Sequence, residues 1–270
     1  MKPCLSFKTI CLSLVSAFLF ASCSHKDQDA GSTTYFGTTV QMGDGAVRSF
    51  VVLAPDRHPL SIGYELTANA LVNLPKATHA DSMALENGQM AMAKEYLVPL
   101  PDSARPYTVF DHLAANWNPL GHTPVGVYNR PHFDFHFYNM KLADREAIPG
   151  YMTDSSGFNN LPAAAYLPTD YIRVPGGEMK MGTHWADKTA PELNGGSFTQ
   201  TFIYGTYNGK VTFYEPMVTL AFLQQASSFT GAIKQPAQWA VAGYYPTRYS
   251  VYTNSVNGYR YVVLDNFVQR

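Results

Sequence analysis

The chain has 270 residues, 46% of them hydrophobic and only 14% charged, with a formal net charge of −1. That length allows one domain or two small ones, and the near-neutral balance with no basic stripe excludes nucleic acid as an expected partner. Aromatic residues equal the charged ones at 14%, with 18 Tyr and 16 Phe, which suits a β-rich extracytoplasmic domain.

Residues 1–22 read as a secretory signal peptide. Lys2 and Lys8 supply a positive start, Ile10 to Phe20 an apolar stretch, and Ala21-Ser22 a small-residue cleavage site. The apolar stretch is about half the ~20 residues that span a bilayer. Cys23 follows at once, and Phe20-Ala21-Ser22-Cys23 resembles the lipobox of bacterial lipoproteins, with Phe20 where leucine is usual. The resemblance implies that Cys23 is acylated and that the membrane is a partner through this lipid. A diacylated or triacylated cysteine meets the two-signal requirement for stable anchoring. Ser24 disfavours retention at the inner membrane, so the outer membrane is expected, on its periplasmic or surface face. Residues 23–34 lack apolar side chains and are expected to form a flexible tether that includes His25. Its Ser-His-Lys-Asp-Gln-Asp order resembles the acidic export tags of surface lipoproteins in Bacteroidetes. Loss of Lys2 and Lys8 makes the formal charge two units more negative. Of 3 Cys, Cys4 and Cys11 leave with the signal. The mature chain then has no free thiol, which excludes disulfides, thiolate-bound zinc and a cysteine nucleophile.

From residue 35 to 270 no composition break or repeat marks a boundary, so a single β-rich domain is expected, a sandwich or barrel of antiparallel hairpins with a few short helices. Tyr35–Met42 and Val47–Ala54 flank the turn Gly43-Asp44-Gly45. Ser61–Leu74 reads as a strand running into a short helix before Pro75. Ser82–Glu95, rich in Met, Ala and Glu, reads as a helix. The Pro- and Gly-rich stretch from Leu142 to Gly177 reads as a long structured excursion, of a kind that often carries function. Thr199–Thr206 and Lys210–Glu215 flank Asn208-Gly209, the strongest short hairpin signal. Pro216–Ser227 reads as a helix with proline at its first position. Tyr249–Asn254 and Tyr259–Asp265 flank Asn257-Gly258.

The chemistry concentrates in Arg130–Tyr138. Side chains alternate along a strand, so His132, Asp134, His136 and Tyr138 share one face while Phe133, Phe135 and Phe137 share the other. The phenylalanines make a core face, which aims the His/Asp row at a pocket, a channel or water. His132 and His136 stand about 13 Å apart at ~3.3 Å per residue, too far for one ion with bonds of about 2 Å. The usable ligand pair is His132–Asp134 or Asp134–His136, with the third residue supporting it. Further ligands are sought in His122 of Gly121-His122-Thr123-Pro124, His184 of Met181–Asp187, and Glu215. The expectation is one site in which His122 and His184 converge on the Asp134 row, with Glu215 as substitute. Two or three histidines with a carboxylate suit Zn, Fe, Mn or Cu, and residue types alone do not choose. Each residue also has a plainer reading. The row can be a hydrogen-bonded network without metal, His184 a core histidine beside Trp185, and Glu215 an acid favouring a helix start. His58, His79 and His112 read as ordinary surface or core residues, and the aromatic pairs Phe202/Tyr204 and Tyr244/Tyr245 as packing.

No Gly-x-Ser-x-Gly elbow, phosphate-binding Gly-x-x-x-x-Gly-Lys loop or His-Glu-x-x-His helix occurs. The strings WNPLGHTPVGVYNRPHFDFHFY, MGTHWAD, FTQTFIYGTYNGKVTFYEPMVT and GYYPTRY resemble an uncharacterised family of bacterial secreted and lipoprotein domains, from about Tyr35 to Phe267. The resemblance implies one β-rich domain with the histidines of these strings, and Asp134 and Glu215, near one another. It implies no reaction.

Three functional readings follow. The lead is an envelope-anchored lipoprotein whose His/Asp pocket binds a divalent metal or small ligand. The second is a metal-dependent enzyme, a hydrolase or cupin-like oxygenase, with His132 or His136 as general base and Tyr138 or Asp187 as proton donor or orienter. The third is a structural or interaction lipoprotein with a non-metal polar network. A homo-oligomer remains open in all three.

Overall fold

Alternating strand patterns closed by tight turns dictate the architecture. In a computed structural model, which describes residues 31–86, 94–124, 126–225 and 228–270, hairpins stack into two antiparallel sheets of seven strands. The signal peptide, Cys23 and most of the tether lie outside the described residues. Thr33 and Thr34 already belong to the first strand, so the fold starts two residues before Tyr35. Residues 31–270 make one compact, mainly β domain.

The first sheet contains β1 (Thr33–Phe36), β2 (Val40–Met42), β3 (Gly45–Leu53), β4 (Pro59–Leu66), β12 (Ser228–Ala232), β13 (Tyr244–Thr253) and β14 (Arg260–Gln269). It runs β1-β3-β4-β14-β13-β12, with β2 paired to β3. The second contains β5 (Lys94–Pro99), β6 (His112–Asn118), β7 (His132–Tyr138), β8 (Tyr171–Arg173), β9 (Thr183–Asp187), β10 (Gln200–Tyr207) and β11 (Lys210–Thr219). Its order is β5-β6-β7-β11-β10-β9-β8, which puts β7 and β11 at the centre. Among the described residues four short α-helices complete the fold: α1 (His79–Glu86), α2 (Leu142–Glu146), α3 (Ser155–Asn159) and α4 (Leu220–Gln224).

The sheets face each other across one apolar core. Phe133, Phe135 and Phe137 are fully buried in it. Tyr64 of β4 meets them from the opposite sheet, its ring 5.0 Å from Phe135 and 5.2 Å from Phe137. Its hydroxyl lies 2.9 Å from the Ala114 carbonyl and 2.6 Å from that of His136. The all-Phe face is thus the sandwich interior. The sandwich expectation holds, and no barrel closes.

The opposite face of the second sheet is not left to water. Tyr128, Phe198, Ala186, Ile203 and Met217 form a satellite core on it, and Tyr138, Phe213 and Ala114 another. The excursion after β7 adds Val174 and Arg145 to this cover. Arg145 of α2 is fully buried, pairs with Glu95, and places its guanidinium 4.6 Å from the Tyr138 ring centre.

Several elements differ from the sequence expectation for local reasons. After β4 the chain turns through Thr67–Val72 without a helix. The helix expected over Ser82–Glu95 is the shorter α1, residues 87–93 lie outside the described residues, and Glu95 sits in β5. Pro216 does not start a helix. It lies inside β11 opposite Phe202, and the helix waits for Thr219, whose hydroxyl caps α4 by accepting from the Phe222 N–H. Proline has no N–H to donate, and the β11–β7 register correspondingly skips from Tyr214↔Phe137 to Met217↔Asp134. Glu215 is therefore a mid-strand residue beside that gap. The last hairpin closes at Thr253↔Arg260, so its loop is wider than Asn257-Gly258 alone.

Candidate metal centre

Strand parity builds the floor of the site. On β7 the outward row is His132, Asp134 and His136. On β6 Asn116 pairs with Asp134 and Asn118 with His132, and on β11 Met217 pairs with Asp134. The remaining residues arrive from outside these strands. The loop after β6 doubles back because Gly121 adopts φ +72° with no room for a Cβ, which would lie 2.1 Å from the Tyr128 carbonyl oxygen. That reversal drops His122 onto β7, its ring 4.7 Å from that of His132. On the far side, β9 pairs with β10 so that His184 stands opposite Gly205.

All six expected residues reach this face, but as two groups. His122, His132 and Asp134 form one, and His136, His184 and Glu215 the other; within each, one ligand atom per residue lies within 4.8 Å of the others. The single site expected from the sequence is thus corrected to two. His122 joins Asp134, whereas His184 joins Glu215 and not Asp134. His132 and His136, about 13 Å apart along β7, cannot share an ion; Asp134 pairs with His132, and His136 pairs across to Glu215 and His184.

In the first group the ring orientations are held by the backbone. His122 Nδ1 is 2.7 Å from the Thr123 carbonyl and His132 Nδ1 is 2.6 Å from the Arg130 carbonyl. A carbonyl only accepts, so each Nδ1 carries a proton and donates, and each Nε2 is turned inward toward Asp134. His132 Nε2 lies 3.0 Å from Asp134 Oδ1, and His122 Nε2 lies 3.6 Å from Asp134 Oδ2. Yet His132 Nε2 and Asp134 Oδ1, both buried, make no hydrogen bond. Donors around one ion with bonds of ~2.1 Å sit about 3.0–3.4 Å apart, a range that holds His132–Asp134 and that His122–Asp134 slightly exceeds. Asn118 Nδ2 donates to Asp134 Oδ2 at 2.7 Å and fixes the carboxylate.

The second group has the same character. His136 Nε2 is 3.3 Å and His184 Nε2 3.9 Å from Glu215 Oε2, and neither His136 Nε2 nor Glu215 Oε2 has a hydrogen-bond partner. The Phe213 ring packs on both histidines, with centroids 4.8 Å from His136 and 5.3 Å from His184.

Protonation follows from burial and neighbours. Burial opposes charge on His122, but the Asp134 carboxylate beside it overcomes this and raises its pKa to about 9. Burial would raise Asp134, and the charges of His132 and His122 hold it well below the usual carboxylate range. Burial pulls His136 down to about 4. It also pulls His184 down to about 3, helped by the charges of His136 and His122. Glu215 is pushed well above its usual value by burial and by Asp134. His136 and His184 are therefore neutral at pH 7, the form that ligates a metal.

His122, Asp134, His184 and Glu215 line one pocket of about 710 Å³ including its mouth, while His132 and His136 lie beneath its floor. Val174, Ile203 and Met217 supply apolar wall. Glu178, from the loop between β8 and β9, lines the same pocket, its pKa raised by burial against the opposing pull of His122.

Two suggested helpers change role. Asp187 pairs with Lys234 at 2.9 Å and accepts from Thr189, away from the pocket. Tyr138 stacks on His136 at 5.3 Å and 11° but is fully buried and does not reach the pocket, so it orients rather than donates. His112, taken as ordinary, continues that stack at 4.8 Å on Tyr138. Asn118, Glu178 and Phe213 were not singled out from sequence. Only Asn116-Trp117-Asn118, with polar residues two apart like those of β7, carried a signal.

Compared with protein-family models, curated proteins and solved structures, the chain matches none of them. The chemistry stands on these residues alone.

Proposed function

We propose that this chain is an envelope-anchored lipoprotein whose His/Asp/Glu pocket binds a divalent metal. The membrane attachment rests on the signal sequence and Cys23. The metal reading rests on one observation: in each group a buried histidine nitrogen faces a buried carboxylate oxygen, 3.0 Å apart in the first and 3.3 Å in the second, with no hydrogen bond between them. A cation between each pair would satisfy both atoms at once. In a hydrogen-bonded network these atoms would pair with one another.

Two histidines with one carboxylate in each group suit zinc, manganese or ferrous iron. Three protein donors per group, two of which line the pocket in each, also favour the enzymatic reading over a structural site. Structural zinc sites close with about four ligands, whereas catalytic ones leave a position for water or substrate. Metal-assisted hydrolysis is then the reaction class, with Glu178 of the same pocket as the group that exchanges a proton.

The test is elemental analysis of the protein purified without a histidine tag, before and after reloading with zinc, manganese or iron. Stoichiometric metal that Asp134→Ala or Glu215→Ala reduces is the expected result. A wild-type chain that retains no metal after reloading ends the reading.

A further inference from the structure

Resting on that metal-binding reading, we infer that the pocket holds two divalent ions as one dinuclear centre and takes a small organic oxyanion across them. The number of ions comes from the grouping: donors converge within each trio, but the six do not gather into one set. The closeness of the two comes from the sheet. Asp134 and His136 are successive residues on one face of β7, about 6.6 Å apart along the strand, and Glu215 and Met217 alternate in the same way on β11. Both trios also contribute to the wall of a single pocket: His122 and Asp134 from one, His184 and Glu215 from the other.

Charge then selects the ligand. Two dications outweigh the two ligand carboxylates, and Glu178 offsets only part of the excess. Among the described residues lining the pocket there is no Lys or Arg, so attraction for an anion comes from the ions alone. An oxyanion supplies oxygen donors to both at once, as in two-metal sites generally. The apolar wall of Val174, Ile203 and Met217 beside the ions suits an organic body attached to that head.

The experiment uses the full chain, wild type and variants, with Mn²⁺ as the metal and inorganic phosphate and phenyl phosphate as probes. Equilibrium dialysis should find two Mn²⁺ per wild-type chain, one in Asp134→Asn and one in Glu215→Gln. In the electron paramagnetic resonance titration, the isolated-ion signal of the first equivalent should broaden and vanish as the second binds. This needs only wild-type protein, so it stands even if a variant fails to fold. Phosphate should bind the two-ion form roughly tenfold or more tighter than either one-ion variant and not bind metal-free protein. Phenyl phosphate should bind tighter than inorganic phosphate. One ion per chain, or two ions without magnetic coupling, overturns the dinuclear centre while leaving metal binding intact; no ion at all overturns both. Equal phosphate affinity with one ion or two removes the bridging anion, and phenyl phosphate no tighter than phosphate removes the organic body.

Discussion

Replacing Asp134 with asparagine separates the charge at the first group from its shape. In metal-free protein the rise of His122 from 6.5 to about 9 is worth about 3 kcal/mol, at 1.36 kcal/mol per unit. The lowered Asp134 carboxyl expresses the same interaction and is counted once. Folded His122 keeps its proton up to about pH 9, whereas the unfolded residue loses it near 6.5. The stabilisation is therefore complete below pH 6.5, fades as the pH rises, and is gone above about 9. With excess chelator, urea unfolding at pH 6 should find wild type about 3 kcal/mol more stable than Asp134→Asn. The gap should narrow through pH 8 and close or reverse above 9. Added metal should then widen it at neutral pH, because an ion at a hundred times its dissociation constant adds about 2.7 kcal/mol to the state that binds it. A chelated gap that stays constant from pH 6 to pH 9.5 would refute the His122–Asp134 coupling. Identical gains on adding metal to both proteins would refute the ligand role.

What the sequence disclosed was the part set by local alternation. The run His132 to Tyr138 sorted its aromatic and polar faces because a strand has period 2 and a Phe face must be covered. Asn208-Gly209 specified its hairpin through two residues tolerant of positive φ, observed at 47° and 76°. The grouping of ligands was not legible, because it depends on which strands become neighbours. Nothing near Glu215 reveals that β11 will lie beside β7, and Pro216 pointed to a helix because proline suits a helix start as well as a break in a ladder. Asn118 was hidden for the same reason: its bond to Asp134 exists only once β6 and β7 are in register. Glu178 lies one residue past the excursion recognised as structured, in a loop held by contacts distant in sequence, such as the bond from Arg145 Nε to the Lys180 carbonyl at 3.0 Å.

The acid side of the metal-free protein should be set by the second group. His136 and His184 stay neutral when folded down to about pH 4 and 3, so stability falls as the pH drops below 6.5, and urea midpoints independent of pH from 6.5 to 4 would contradict this. Cys23→Ala should release the protein from membranes, since the sequence after residue 22 has no apolar run of about 20 residues; recovery in the pellet after a high-salt wash would count against lipidation. Phe135→Ala should cost about 3–5 kcal/mol by emptying the sandwich interior, measured by chemical denaturation, and a loss below 1 kcal/mol would place that ring outside the core. The most discriminating variant is Gly205→Ala, which alters no ligand. A Cβ there would lie 1.9 Å from the Phe213 ring, far inside van der Waals contact. Phe213 is fully buried and enclosed by the rings of His136, Tyr138 and His184, so it can yield only by pushing on those neighbours. Overpacking of this kind costs roughly 1–3 kcal/mol, and here the displacement falls on two ligands of one trio and on none of the other. Gly205→Ala should therefore weaken metal binding at the His136–His184–Glu215 group while the His122–His132–Asp134 group keeps its ion. Dialysis against increasing chelator reads this as early loss of one ion with the second retained as in wild type. Loss of both ions together at unchanged unfolding stability would mean that Phe213 supports the whole floor of the pocket and not one half of it.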